Sequence, residues 1–273
     1  MKTVLAALDN SLAARPVLAT ARALASVLDA EVDGLHVQTN GDRTVRSAAE
    51  AAGVPIRTRR GPVVDSLLEE SRADDVLALV IGARGTPGRG RPLGKTALAV
   101  ATSLLKPVVV VPPNARDPDA LRRILVPLEG SASTSLAPRS VVKLARDTKI
   151  DVLALHVYDE SSIPAFTDQP QHEQAAWAQE FLARYCPWDI GAVRLETRVG
   201  RSDELIPLVA EESGCDLIAL GWSQELAPGR APVVRAALAR AHVPIMLLPI
   251  ASAVPNSAEG RVGRALERAP EQV

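Results

Sequence analysis

The chain has 273 residues, 31 Lys+Arg against 32 Asp+Glu, and a formal net charge of −1. This near-neutral balance excludes whole-molecule attraction to nucleic acid or an anionic membrane. Two cysteines, Cys186 and Cys215, are too few for a disulfide scaffold or a Cys-based metal site, so they are expected to be reduced core thiols in a cytoplasmic protein.

In chain order, Thr3–Leu8 is a short apolar run and reads as a strand, and Leu12–Leu28 has helical spacing with Ser11 as N-cap. Val32–Val37 is a second strand, 43–51 a short helix closed by Gly53, and Val54–Thr58 a third strand. Residues 63–72 form a helix, Val76–Ile81 a nearly all-apolar strand, Thr96–Leu105 a helix and Val108–Val111 a strand. Apolar strands that alternate with helices are the pattern of parallel strands buried on both faces. Residues 112–122, rich in Pro and charge, read as a linker.

Beyond the linker the pattern returns. Shifted by 120, residues 4–37 lie on 124–157 without a gap, with nine identities, including Leu35-His36-Val37 on Leu155-His156-Val157. The segments 58–61 and 197–200 share Thr-Arg-x-Gly, and each is followed, 21 residues after its glycine, by a further glycine, Gly82 or Gly221. Both halves close with an apolar run and Pro, at 107–113 and 243–249. Four matches in the same order indicate a duplicated unit. The domains are therefore expected at 1–113 and 122–250, with a tail at 251–273 that has helical character over 258–269.

The units differ at one insertion. All seven aromatics lie at or beyond Tyr158, and six of them fall in 158–191, between the second and third strands of unit two. Trp177, Phe181, Tyr185 and Trp188 recur on one helical face, as expected of residues packing a helix onto the sheet.

In open α/β sheets ligands bind beyond the carboxyl ends of the strands. In unit one those ends are Leu8-Asp9-Asn10-Ser11, Val37-Gln38 and Ile81-Gly82. Gly82 opens a segment with five glycines in thirteen residues that runs through Arg84, Gly85, Gly94, Lys95 and Thr96 into a helix. Glycines let backbone N–H groups turn toward an anion, and a helix N-terminus adds partial positive charge. Thr96 can add a hydroxyl and Lys95 a point charge. No Asp or Glu occurs from Val76 to Arg116, while Arg84, Arg89, Arg91 and Lys95 lie in or beside the loop. That composition favours phosphate. A P-loop is refused by spacing, because Arg89 stands where its first glycine belongs.

Other residues carry less. His36 and His156 are repeat-matched and read as structural; His172 and His242 have no ligand-spaced partners. The hydroxyl run 131–135 lacks a nucleophile elbow and reads as the cap of a helix over 136–148. No nucleophile–base pair is evident, so no catalytic residue or metal site is expected. No segment has the length and apolarity of a membrane span.

The V-x4-D of strand one, the L-H-V of strand two, the glycine loop and the closing P-V-x-V-V-P together resemble the universal stress protein family, in tandem form through residue 250. The resemblance implies two tandem Rossmann-like (adenine nucleotide alpha hydrolase-like) doubly wound α/β domains, each with a five-stranded, mostly parallel sheet. It implies a stress-response role with ATP or another adenine nucleotide as ligand, magnesium being undetermined. Gly82 and Gly85 match the first pair of the family's G-x2-G-x9-G-[ST]. Gly94 follows after eight residues, Lys95 stands at the hydroxyl position, and Thr96 is next along. Asp9 matches the residue that meets the adenosine, and Val37 the position whose backbone meets adenine. Unit two has Glu129, Gln224, Ala231 and Pro232 at the positions of Asp9, Gly85, Gly94 and Lys95, and Glu225 would repel phosphate, so it is expected not to bind nucleotide. The resemblance further implies pairing through 107–111 and 243–248, an internal pseudo-dimer, with a homodimer through another surface as a further option. A nucleotide-independent scaffold and a slow ATP hydrolase are the alternative readings.

Overall fold

The computed structural model describes residues 1–9, 14–38, 53–84, 93–128, 148, 150–158, 170–185, 193–226 and 231–250. Among them are ten strands: β1 Thr3–Leu8, β2 Glu31–Gln38, β3 Ile56–Arg60, β4 Val76–Gly82, β5 Val108–Val111, β6 Arg123–Pro127, β7 Asp151–Tyr158, β8 Val193–Val199, β9 Leu217–Trp222 and β10 Ile245–Pro249. The six helices described are α1 Ala14–Leu28, α2 Val63–Ser71, α3 Lys95–Ser103, α4 Pro170–Tyr185, α5 Ser202–Glu212 and α6 Pro232–Arg240. The helices expected at 43–51 and 136–148, Ser11, Trp188, Cys186, Gly85 and the tail lie outside the described residues.

All ten strands belong to one sheet, in the order β3-β2-β1-β4-β5-β10-β9-β6-β7-β8. Read outward from the centre, each half has the same order, and every pair within a half is parallel. The halves meet where β5 and β10 pair antiparallel, with Ile245 opposite Val110, Met246 opposite Val109 and Leu247 opposite Val108. The two five-stranded parallel halves, as expected, are thereby joined into one sheet of ten. The two closing runs are tetrads of short apolar residues, buried throughout, and each satisfies its outer backbone groups on the other.

The strand pattern sorts side chains to two cores. On β1, Val4, Ala6 and Leu8 face α1, whereas Leu5 joins the α2 and α3 side. Helix α1 supplies the first core with Val17, Leu18, Ala21, Leu24 and Ala25, spaced for one helical face. Both faces are thus covered, as a doubly wound sheet requires.

The outer strands differ from the apolar expectation. β3 reads Ile-Arg-Thr-Arg-Arg and is exposed along most of its length. It also starts later than Val54, because Pro55 has no N–H for the ladder and its carbonyl instead accepts from Gly34 N at 2.8 Å. Arg57 pairs with Asp33, and Arg59 with Glu70. At the far edge Arg198 pairs with Glu196 at 2.6 Å. Charged edges of this kind oppose edge-to-edge association.

Helix α3 stops at Ser103 rather than Leu105. Leu104 is extended (φ −90°, ψ 126°), and the chain then runs into Pro107. The repeat is legible in backbone detail too, for Gly61 (φ 133°) and Gly200 (φ 142°) share the left-handed region after β3 and β8. No helix among the described residues is long and apolar enough to cross a membrane.

Candidate functional site

Unit one turns over between β1 and β4. The chain leaves β1 toward β2 on one side, and β4 lies on the other. The register sets Leu8 beside His36, so Asp9 and Val37 follow at adjacent strand ends, with Gly82 closing β4. This crevice is where a doubly wound sheet presents backbone and loop groups to a ligand. Asp9 is exposed and Val37 is buried, its side chain packed in the second core, so the backbone is what Val37 offers at the crevice.

The floor of the crevice is pinned by His36. Its Nδ1 lies 3.0 Å from Leu8 O, an obligate acceptor, so Nδ1 carries the proton and donates. His156 makes the equivalent bond to Leu128 O at 2.8 Å in unit two. The repeat-matched histidines are thus structural ties between the first and second strands of each unit.

The glycine segment is closed at its base. Ala83 N donates to Val111 O and Gly94 N to Ala83 O, both at 2.8 Å. The end of the loop therefore lies on its start. A Cβ added at Gly94 would come 3.4 Å from Ala83 O and 3.7 Å from Arg84 Cα. Glycine is needed there for close approach, since its φ of −68° is one that any residue adopts. Gly94 is the N-cap, and α3 starts at Lys95 rather than Thr96. Lys95 is exposed and Thr96 half-buried, and Leu98 N makes the first bond back to Gly94 O, at 3.0 Å. The N–H groups of Lys95, Thr96 and Ala97 are thus first-turn donors without helical acceptors. Such an end fits an anion, and the short Ala83–Gly94 closure leaves no Cβ in its way. Arg84, at the root of the loop, lines a cleft shared with unit two.

Unit two differs at the same positions. Trp222, 3% exposed, stands where unit one has Ala83. Gln224, at φ 61°, sends its amide across the seam to Leu104 O (2.8 Å) and Ala101 O (3.4 Å). Arg235 donates to Leu226 O. The N-cap is Ala231 in the left-handed region (φ 46°, ψ 53°), with Pro232 at the first helical position.

Of the aromatic face, Trp177 and Phe181 pack onto the sheet as their spacing predicts, while Trp188 and the Tyr185 side chain lie outside what is described. Phe181 is 4.5 Å from the ring of His156 and 4.9 Å from that of Trp177, and Tyr158 stacks edge-on to His156. Burial pushes the Tyr158 hydroxyl up to about 12.

Residues 120–249 match the Universal stress protein family. The match covers the second half of the chain, which is similar to that family. No curated protein sequence matches it significantly. The fold is similar to that of a universal stress protein from Archaeoglobus fulgidus DSM 4304, at TM-score 0.64 and 16% identity over 91% of this chain and 98% of that one. It is also similar to a functionally unknown protein from Pseudomonas aeruginosa PAO1 (TM-score 0.63, 13% identity, 92% and 93% coverage). A putative universal stress protein from Pseudomonas aeruginosa UCBPP-PA14 gives 0.61 at 14% identity over 91% and 93%. These likenesses span both units and concern the fold. The family resemblance implied pairing of the two closing strands; what the sequence did not signal is the side-chain contact across that seam. Gln224 finds its acceptor 120 residues away, at the end of α3 in the other unit, and no local spacing encodes that.

Proposed function

We propose that this chain acts as a universal stress protein and binds an adenine nucleotide in unit one, as a regulatory ligand in a stress response, without turning it over. The observation that supports it best is the convergence of Asp9, Val37 and Gly82 at adjacent strand ends, beside the first turn of α3. Asp9 would accept from ribose hydroxyls, Val37 would meet the base through its backbone, and Gly82, Gly85 and Gly94 would let the loop approach the phosphates. Lys95 and Thr96 would hold the phosphate chain, with Lys95 taking the place of the family's hydroxyl residue. Unit two, with Gln224, Ala231 and Pro232 in place of Gly85, Gly94 and Lys95, serves as the structural partner across β5 and β10. On this reading the chain is a cytoplasmic internal pseudo-dimer of units 1–113 and 122–250.

Isothermal titration with ATP, ADP, AMP and cyclic AMP tests it. Saturable binding by one site per chain is expected, weakened about tenfold or more by Lys95→Ala, the scale of one charge-assisted contact. No binding of any of the four at millimolar concentration overturns it, as does binding that survives both Asp9→Ala and Lys95→Ala. Phosphate release that disappears in Lys95→Ala would instead make the protein a slow hydrolase.

A further inference from the structure

The seam between the units is two-fold in pattern but not in content. Pro107 and Val108–Val111 of unit one correspond to Pro244 and Ile245–Leu248 of unit two. The pairs Ile245–Val110 and Leu247–Val108 are exchanged by that correspondence about Met246–Val109. Carried back along the chain, the same correspondence sets Ala101 and Leu104, at the end of α3, against Leu238 and Ala241, at the end of α6. The carboxamide of Gln224 occupies the first of these two places, donating to Ala101 O and Leu104 O. In the sequence, the residue that matches Gln224 is Gly85.

A cleft of about 340 Å³ lies at this second place, bounded by Leu238–Ala241 of α6. Its other walls are Arg84, Asn114 and His242, with Arg240 from the helix and Pro112 and Pro113 beneath. Three cationic or proton-accepting groups from both units converge there, and no carboxylate is among the lining residues. Two of them are anchored from behind. Pro207 in α5 has no N–H for the carbonyl four residues earlier, and Arg240 Nη1 meets that carbonyl, Asp203 O, at 3.5 Å. His242 Nδ1 lies 3.8 Å from Glu211, which also pairs with Arg116 at 3.5 Å. The volume is at the small end of ligand sites.

We propose that this cleft is a second ligand site, separate from the nucleotide crevice, for inorganic hydrogen phosphate. The reasoning joins two features. Arg84 and Arg240 favour an oxyanion, and guanidinium groups match phosphate in geometry as well as charge. The end of α6, however, presents carbonyl oxygens, which repel a bare anion and call for a donor. The corresponding carbonyls on α3 receive that donor from Gln224. Hydrogen phosphate supplies both: its charged oxygens suit the arginines, and its O–H suits the carbonyls. Sulfate at neutral pH has the charge without the donor, so the site discriminates between them.

Titration of the full chain with inorganic phosphate, followed by calorimetry and by ³¹P line broadening, tests this. Phosphate is expected to bind more tightly than sulfate. Arg240→Gln with His242→Gln is expected to weaken phosphate about tenfold or more, and Lys95→Ala to leave it unchanged. Arg240 and His242 are exposed, so the double variant keeps its fold, and Arg84→Gln provides an independent substitution. Equal binding of sulfate, retention of binding in the Arg240/His242 variant, or loss in Lys95→Ala alone overturns the proposal, as does no phosphate binding at about 10 mM.

Discussion

Gln224 bears two opposed effects that substitution can separate. Its amide donates to Leu104 O at 2.8 Å and Ala101 O at 3.4 Å, at the end of a helix whose last carbonyls have no helical donors. Its backbone sits at φ 61°, which a side chain with a Cβ adopts at a cost of about 1–2 kcal/mol. Removing the carboxamide forfeits one good and one long hydrogen bond, about 1–2 kcal/mol together. Gln224→Ala keeps the strain and loses the bonds, so it is expected to destabilise the chain by that amount. Gln224→Gly loses the same bonds and relieves the strain, though glycine's freedom in the unfolded chain offsets part of the relief. Glycine should therefore be no less stable than alanine at this site. Urea unfolding of the three proteins, compared at a common denaturant concentration, measures both differences. Alanine at wild-type stability would show that the cross-seam bonds contribute nothing. A glycine variant clearly weaker than the alanine variant would show that the left-handed backbone is not strained.

Ala231→Gly, at φ 46°, is expected to stabilise by up to about 1 kcal/mol in the same assay, while a loss would contradict the left-handed N-cap. Phe181→Ala removes a 6%-exposed ring from the cluster with His156 and Trp177 and should cost about 3–5 kcal/mol, read from the unfolding midpoint. Burial pushes the Cys215 thiol from 9.0 up to about 12, so in a Cys186→Ser background it should resist thiol reagents until the chain unfolds. The sign for stability follows from the raised value. The unfolded thiol ionises first, so this contribution is complete below pH 9 and is lost as pH rises toward 12, which unfolding from pH 7 upward would follow. Replacing Arg57 and Arg59 by Val would leave β3 a bare apolar edge, and light scattering should detect association that the parent does not show.

The apolar strands were legible because burial on both faces leaves a continuous signal. Thr3–Leu8 and Val108–Val111 lie where the pattern puts them. β3 was shifted because its position at the sheet edge removes the need for apolar residues, and Pro55 delays its ladder. The candidate crevice was partly legible. Asp9, Val37 and Gly82 are strand-end residues, and a repeat of strands and helices already sets strand ends in one row. Gly94 was read as a phosphate-loop glycine, and its geometry adds a second reason, the close pass over Ala83 and Arg84.

The sequence by itself determined the repeat, the strand–helix alternation, the aromatic insert and the glycine segment, because each is written in local spacing. The pairing of the closing strands was implied by the family resemblance, but only the tertiary structure decided its antiparallel register and the single sheet it makes, since exposed backbone groups on a closing strand do not name their partner. It alone decided that Gln224 and Arg84, one residue apart in repeat position, serve opposite sides of that seam, one filling its place and the other lining a cleft. Contacts between halves more than a hundred residues apart depend on how two surfaces meet, and no periodicity in either half records that.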